Sequence, residues 1–229
     1  MAVSFESIVP WGRSLQEYER MFNLSEEDLS SGVLDCGGGP ASFTAELTTL
    51  GFNAVAVDPI YAFGASDIQA RFDQVAPTML EQILATPEDW VWGYHRNPEE
   101  LLSSRRAALE RFLADYEQGA QAQRYIVGEL PSLPFENGTF ALALCSHLLF
   151  LYSELLSEEF HIQAVKELLR VAEEVRIFPL LTLAREPSPH LAAVRAALHS
   201  QNITSEIVTV DYELQRGGNQ MLRIFSPSC

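Results

Sequence analysis

A short apolar run that ends in a glycine-rich loop is the feature that most constrains how this chain can fold. Residues 33–35 predict a buried strand, which runs directly into the glycines and proline of residues 37–40. Apolar residues at helical spacing follow, and Gly51 is suited to the left-handed conformation that ends a helix. A second apolar run occupies residues 54–58. A strand, a loop, a helix and a further strand in this order form a unit whose two strands lie parallel in one sheet.

The remainder of the chain alternates segments typical of strands and of helices. Strands are predicted at residues 125–127, 140–145 and 175–183, helices at residues 157–171 and 191–198, and a closing antiparallel pair of strands at residues 207–210 and 221–225. This order predicts an open α/β fold in which helices cover both faces of a mostly parallel sheet. We expect residues 1–229 to form a single domain that starts with a helical segment over residues 1–30.

Residues 61–124 form an insertion after the second strand. A whole βαβ unit takes roughly 30 residues, so this connection is too long to be an ordinary crossover. Its pattern predicts one helix over residues 67–84, interrupted at Pro77, and another that begins near Pro98. Because the insertion leaves the carboxyl end of a strand, it should emerge above the ligand crevice of such a sheet. We therefore predict a helical lid.

The most aromatic stretch of the chain lies between the two predicted helices of the insertion. It contains Trp90, Trp92 and Tyr94, followed by His95. These rings could form a stacking wall for a flat substrate, or they could form the core of the lid itself. We favour the core, because aromatic residues in a small helical unit usually pack against one another.

Charge argues against some partners. The chain has 15 Lys and Arg against 31 Asp and Glu, a net charge of −16, and its only lysine is Lys166. Such a chain repels nucleic-acid phosphates and anionic membrane surfaces. No run approaches the ~20 apolar residues that a membrane span needs, and the first residues lack the pattern of a secretory signal. We expect a cytoplasmic protein whose partner is a small molecule.

The cysteines support the same compartment. Cys36, Cys145 and Cys229 are odd in number, far apart and outside any metal-ligand spacing. We therefore expect free thiols in a reducing environment and no metal site.

Two acids flank the glycine loop and suggest its ligand. Asp35 precedes the glycines, and Asp58 ends the next strand 23 residues later. An acid at the end of that second strand can accept hydrogen bonds from both hydroxyls of a ribose. A dinucleotide loop would need a third glycine where Ser42 stands and would leave Asp35 unexplained, so a nicotinamide cofactor fits less well. The spacing favours a nucleoside.

The pattern Asp-x-Gly-x-Gly with a second acid downstream resembles the class I S-adenosylmethionine-dependent methyltransferases. Three later segments are also similar to that family, in the family's order: residues 128–141, residues 145–151 and residues 164–171. The resemblance implies a Rossmann-like sheet of seven mostly parallel strands, a bound S-adenosylmethionine and S-adenosylhomocysteine as the product. It implies a cofactor site made of Asp35, Cys36, Gly37, Gly38, Gly39, Asp58, Pro59, Glu129, Leu130 and Cys145.

The resemblance also implies a role for individual residues. Asp35 would orient the glycine loop and hold the amino group of the cofactor, and Asp58 would bind the ribose. Glu129 would accept a hydrogen bond from the adenine amino group, and the Leu130 amide would meet a ring nitrogen. Cys145 would line the floor below the cofactor.

The chain departs from the family's pattern at several points. Ala41 stands where the family has a third loop glycine, and Ala141 replaces an Asp that often follows the phenylalanine. The family's Lys-Pro-Gly-Gly turn before the fifth strand is missing at residues 171–175, and the insertion is unusually long. These differences affect the subfamily and not the fold.

The sequence as a whole predicts methyl transfer from S-adenosylmethionine to a small-molecule acceptor. His147 follows the fourth strand and is the candidate catalytic base. Tyr61 could cover the cofactor, and Arg13 or Tyr18 could reach its carboxylate. The alternatives are a non-catalytic cofactor-binding module that contacts a protein partner, a nicotinamide-dependent reductase and, less favoured by the charge, an RNA methyltransferase.

Overall fold

A sheet of seven strands forms the centre of the protein, which is described here from a computed structural model of residues 10–225. The strands are β1 (Val33–Cys36), β2 (Ala54–Val57), β3 (Tyr125–Ile126), β4 (Phe140–Ser146), β5 (Ala172–Phe178), β6 (Thr204–Thr209) and β7 (Gln220–Phe225). Their order across the sheet is β3-β2-β1-β4-β5-β7-β6. The first five are parallel, and β7 is antiparallel to both β5 and β6. The predicted Rossmann-like fold with its closing antiparallel pair is confirmed.

Helices pack against both faces of this sheet and at its β3 edge. They are α1 (Leu15–Phe22), α2 (Glu26–Ser30), α3 (Phe43–Thr49), α4 (Ala65–Ala85), α5 (Pro98–Gln121), α6 (Glu158–Val171) and α7 (Leu191–His199). Side chains of α6 and α7 fill the core on one face, and those of α1 and α3 fill the core on the other. No helix within residues 10–225 is long and apolar enough to span a membrane.

The central position of β1 explains why its sequence is almost continuously apolar. This strand pairs with β2 on one side and β4 on the other, and all four of its residues are buried. Strands buried on both faces have no solvent side on which to place polar residues. The parallel register also brings the ends of β1, β2 and β4 to one edge of the sheet. The residues that follow these strands therefore meet there.

Two details of the predicted elements are wrong, an interruption within one helix and the bounds of one strand. The helix predicted at residues 67–84 is not interrupted at Pro77, because α4 continues through it. Pro77 lies on the exposed side of α4, where water can satisfy the carbonyl that loses its partner. The strand predicted at residues 175–183 instead occupies Ala172–Phe178. It starts directly where α6 ends and stops before Pro179, which has no N–H to donate.

The insertion has a core of its own at the β3 edge. Aromatic side chains from α4, α5 and the flanking strand form this cluster, among them Phe72, Phe112 and Tyr125. The rings of Phe112 and Tyr125 meet edge to face with their centroids 5.2 Å apart. Since this cluster includes Ala56 of β2, the two long helices are anchored on the sheet and not only on each other.

Candidate functional site

A cavity of about 740 Å³ opens at the carboxyl edge of the sheet, next to the glycine loop. This volume lies within the range of small-molecule and cofactor sites. Of the ten residues predicted to bind a cofactor, all within the described part of the chain, eight line the cavity. Asp35 and Cys145 do not.

The glycine loop has a backbone that other residues would not adopt easily. Gly37 and Gly39 have φ angles of +73° and +58°. Gly38 is required for a different reason, because a Cβ atom there would lie 2.1 Å from Oδ2 of Asp35. The three glycines therefore present bare backbone to the cavity while Asp35 lies directly behind them.

Asp58 closes the loop from the end of β2. Its Oδ2 accepts a hydrogen bond from the Gly39 N–H at 2.9 Å, and its Oδ1 accepts one from the Ile60 N–H at 2.8 Å. Burial raises the pKa of Asp58 to about 6, although these two N–H groups oppose the rise. Each carboxylate oxygen has a second lone pair, so Asp58 can still accept from a ligand in the cavity.

Asp35 is buried behind the loop. Its Oδ1 accepts a hydrogen bond from the Tyr18 hydroxyl at 3.0 Å. Burial raises the pKa of Asp35 to about 7, and the nearby charge of Asp58 adds to the rise, while the Tyr18 hydrogen bond opposes it. The Tyr18 side chain thus reaches the acid that supports the loop.

The opposite end of the cavity is formed by the segment after β3. The Glu129 side chain is exposed and lines the cavity beside the buried Leu130. Glu129 therefore has a carboxylate free to meet a polar ligand edge at the mouth of the site. Cys145, by contrast, is fully buried within β4, and burial raises the pKa of its thiol to about 12.

His147 lies where β4 ends, in the left-handed conformation with φ +52°. Its Nδ1 is 2.9 Å from the Ser146 hydroxyl oxygen. Burial holds the pKa of His147 well below its usual value, and the positive charges of Arg13 and Arg105 act in the same direction. The imidazole is therefore neutral at neutral pH.

A second, smaller cavity of about 100 Å³ adjoins the first. Trp11, Arg13 and His147 line both cavities and form the wall between them. The far side of the second cavity includes Arg105 and Phe178.

Two residues hold the glycine loop in place, Tyr61 in a role other than the predicted one and Gly12 in a role that sequence reasoning did not assign. The Tyr61 hydroxyl donates to the Gly39 carbonyl at 2.8 Å, so this side chain supports the loop and does not cover the cavity. Gly12 crosses so close to the loop that a Cβ atom would lie 2.1 Å from the Pro40 carbonyl oxygen. A lone glycine before Arg13 carries no recognisable pattern, so only the tertiary contact reveals its role.

The insertion contributes to both cavities. Phe63, Ile68 and Arg71 line the larger one, and Trp90 lines the smaller one. Trp92 and Tyr94 pack against the core on the α1 side of the sheet. The prediction that these rings form the core of the insertion itself is wrong, because that core consists of other residues; Trp90 alone of the three lines a cavity.

The described residues contain no group of three or more His, Cys, Asp or Glu that could hold a metal ion. Cys36 and Cys145 are free, and Cys229 lies outside the described residues.

Comparison with known proteins identifies one close relative and several distant structures. A protein of Methanocaldococcus jannaschii, named uncharacterized protein MJ0045, is 32% identical over 223 residues, which cover 97% of this chain and 98% of that protein. No protein-family model matches. The magnesium protoporphyrin IX methyltransferase of Synechocystis, solved with bound S-adenosylmethionine, is 12% identical with a TM-score of 0.44, over 86% of this chain and 71% of that chain. A protein of Methanococcus maripaludis, named as a possible S-adenosyl-L-methionine-dependent methyltransferase, is 10% identical with a TM-score of 0.47, over 94% of this chain and 84% of that chain.

Proposed function

This chain belongs to the family of the Methanocaldococcus jannaschii protein MJ0045 and has the fold of the class I methyltransferases, and on that premise we propose that it transfers a methyl group from S-adenosylmethionine to a small-molecule acceptor. The observation that carries the proposal is the larger cavity. It joins a bare glycine loop, the acid Asp58 and the exposed carboxylate of Glu129 at the carboxyl edge of a parallel sheet. Ligands of open α/β sheets bind at this edge.

The residues present fit the proposed cofactor in charge and in shape. The glycine loop leaves room for a chain such as the methionine moiety to lie against backbone, and Asp58 can accept from ribose hydroxyls. Glu129 and the backbone of Leu130 lie where the resemblance places the adenine. Asp35 and Asp58 add negative charge beneath a ligand that carries an ammonium and a sulfonium group.

Methyl transfer requires mainly that donor and acceptor be aligned and shielded from water. S-adenosylmethionine supplies an activated methyl group on a positively charged sulfur. The two cavities adjoin and share Trp11, Arg13 and His147 in their lining, so a donor in the larger cavity and an acceptor in the smaller one would lie next to each other. Alignment and exclusion of water can lower such a barrier by several kcal/mol without a strong base.

His147 is positioned to take a proton from an acceptor that must lose one. Its Nδ1 lies 2.9 Å from the Ser146 hydroxyl oxygen, which can accept a hydrogen bond from it. In the tautomer whose proton is on Nδ1, Nε2 is unprotonated, as a general base requires. Full activity of His147→Ala on an identified substrate would remove this role.

The insertion serves as a wall of the cofactor site, in line with a lid. Phe63, which is largely exposed, lines the cavity together with Ile68 and Arg71 at the start of α4. Exposed apolar side chains at the mouth of a cavity gain contacts when a ligand enters. We place the protein in the cytoplasm, where the thiols of Cys36 and Cys145 stay reduced.

The charge of the chain supports a small acceptor over nucleic acid. A net charge of −16 gives no general attraction for phosphate backbones. Salt-sensitive retention of RNA by the purified protein would contradict this part of the proposal.

Calorimetric titration of S-adenosylhomocysteine and S-adenosylmethionine tests the cofactor. Glu129→Gln is the most informative variant for this test. Its exposed side chain makes no hydrogen bond to other described residues, so the substitution should leave the fold intact. We expect it to weaken binding by about tenfold, the effect of losing a hydrogen bond to a charged group. Glu154→Gln, another exposed acid outside the cavity, is the matched control and should bind like the wild type. Absence of binding to the wild type would refute the cofactor assignment.

Turnover separates an enzyme from a binding module. Labelled S-adenosylmethionine and a metabolite extract should yield a labelled small molecule in a protein-dependent way. Tight cofactor binding with repeated failure of transfer would favour a non-catalytic module that serves a protein partner. Binding of NADH without competition from S-adenosylmethionine would favour a reductase.

A further inference from the structure

We propose that the second cavity binds a carboxylate group of the methyl acceptor, held by Arg13 and Arg105. That the anion is the acceptor rests on the proposed function, whereas the anion site itself rests on the groups that line the cavity. Within residues 10–225, the site combines buried guanidinium N–H groups that have no hydrogen-bond partner with one positive charge that forms no ion pair. Both features are costly in a protein interior unless a ligand completes them.

Arg105 supplies the buried donors. Its side chain is fully buried and lines the second cavity. Its Nη1 donates to Oε2 of Glu17 at 2.7 Å, but its Nε and Nη2 have no hydrogen-bond partner among the described residues. A guanidinium offers five donors in a planar fork that matches a carboxylate. Arg105 therefore has donors to spare for a ligand.

Glu17 forms its ion pair with Arg105 and forms none with Arg13 within residues 10–225. Its carboxylate also accepts from Nε2 of His95 at 3.2 Å and from the Tyr212 hydroxyl at 2.8 Å. Burial alone would raise the pKa of Glu17, but the charge of Arg105 and these donors hold it well below its usual value. Glu17 is therefore ionised and already surrounded by donors.

Arg13 provides the charge without a counter-ion. It makes none of the ion pairs formed within residues 10–225. Its Nη1 donates to the Trp11 carbonyl at 2.9 Å, and its Nε is buried without a partner among those residues. Burial lowers the pKa of Arg13 and the positive charge of Arg105 lowers it further, although Tyr212 and the charge of Glu17 oppose this shift. A single bound anion would offset both effects.

The other charged groups of the cavity do not take this place. Arg185 also lines it but is paired with Asp89 at 2.8 Å, so these two charges cancel. His147 is neutral. Together with Glu17, which lies behind Arg105, the charged groups around the second cavity carry a net charge of about one positive unit, in a protein whose overall charge is −16.

Size and position identify the anion as a carboxylate on the acceptor. The cavity of about 100 Å³ has room for a small planar group, and apolar rings such as Phe178 cover its sides. Arg13 and His147 belong to both cavities, so the anion would lie beside the wall that faces the proposed methyl donor. A monocarboxylate with a short apolar body suits this combination of charge, size and lining.

Titration of acetate and benzoate, followed by NMR of the full-length protein, tests the site. Acetamide and benzamide are the neutral controls of the same shape, and each titration is run with and without S-adenosylhomocysteine. We expect each carboxylate to bind at least tenfold more tightly than its amide. Arg13→Gln should remove that preference. Arg105→Lys keeps the counter-charge for Glu17 but loses the planar fork, and it should weaken the preference as well. Arg111→Gln, on the exposed side of α5, should change nothing.

The outcomes separate this inference from the proposed function. Equal binding of carboxylate and amide, or a preference that survives Arg13→Gln, overturns the anion site even if S-adenosylhomocysteine binds normally. Loss of S-adenosylhomocysteine binding in Arg13→Gln with an unchanged carboxylate preference also overturns it, because Arg13 would then serve the cofactor. Carboxylate binding in a wild type that does not bind S-adenosylhomocysteine supports the anion site and refutes the methyltransferase.

Discussion

Replacement of Asp35 by Asn should stabilise the ligand-free protein, and increasingly so as the pH rises. Burial raises the pKa of Asp35 to about 7 from an ordinary value of 3.8. A carboxyl group whose pKa is raised by folding stabilises the folded protein fully at pH values below its pKa in the unfolded chain. This stabilisation is lost as the pH rises through its pKa in the folded protein. The wild type therefore loses about 4 kcal/mol across this window, since each pKa unit corresponds to about 1.4 kcal/mol. About 3 kcal/mol of this loss in stability occurs between roughly pH 5 and pH 8.

Urea denaturation of both proteins at several pH values measures the effect. Asn does not titrate, and its amide oxygen can still accept the hydrogen bond of the Tyr18 hydroxyl. The difference in the free energy of unfolding, Asp35→Asn minus wild type, should therefore rise by about 3 kcal/mol from pH 5 to pH 8. Asp211→Asn is the control, because the Asp211 side chain is 98% exposed, and its difference should stay flat. A flat or falling difference for Asp35→Asn would refute the reasoning.

Two further substitutions test how the glycine loop is built. Gly38→Ala should destabilise the protein by about 1–3 kcal/mol and weaken S-adenosylhomocysteine binding, because its Cβ would lie 2.1 Å from Oδ2 of Asp35. Gly93→Ala, where a Cβ meets nothing within 4 Å, is the control in the same denaturation and calorimetry experiments. Tyr61→Phe removes the hydrogen bond to the Gly39 carbonyl and should cost about 1 kcal/mol of stability; unchanged stability and affinity would show that the loop does not need this contact.

The order of elements was readable from the sequence because each strand has a local signature. Strands buried on both faces are short apolar runs, and the glycine loop after residues 33–35 marks the start of a helix. The continuity of α4 through Pro77 was not readable, because it depends on which side of the helix faces water. The early start of β5 at Ala172 was also missed, since no glycine or proline separates it from α6 and the charged Glu173 and Glu174 interrupt the apolar run that would mark a strand.

The cofactor side of the site was readable for a similar reason. Its residues directly follow strands, so a parallel sheet brings them to one edge wherever the strands occur in the chain. Asp58, Glu129 and His147 were found in this way, and all three line the larger cavity. Cys145 was expected to line the cofactor site, but it does not line the larger cavity. Successive strand residues alternate between faces, and the next residue, Ser146, lines the cavity.

The second cavity is where tertiary structure alone decides. Glu17 and Arg105 lie 88 residues apart, yet Arg105 donates to Glu17 at 2.7 Å inside the protein. Nothing in either local sequence distinguishes these side chains from the many solvated charges of α1 and α5. The sequence by itself determined the sheet, the glycine loop and the acids at the strand ends, because these follow from local periodicity and strand direction. The buried charges between the insertion and the amino-terminal helix arise only from the packing of distant elements, which no local pattern specifies.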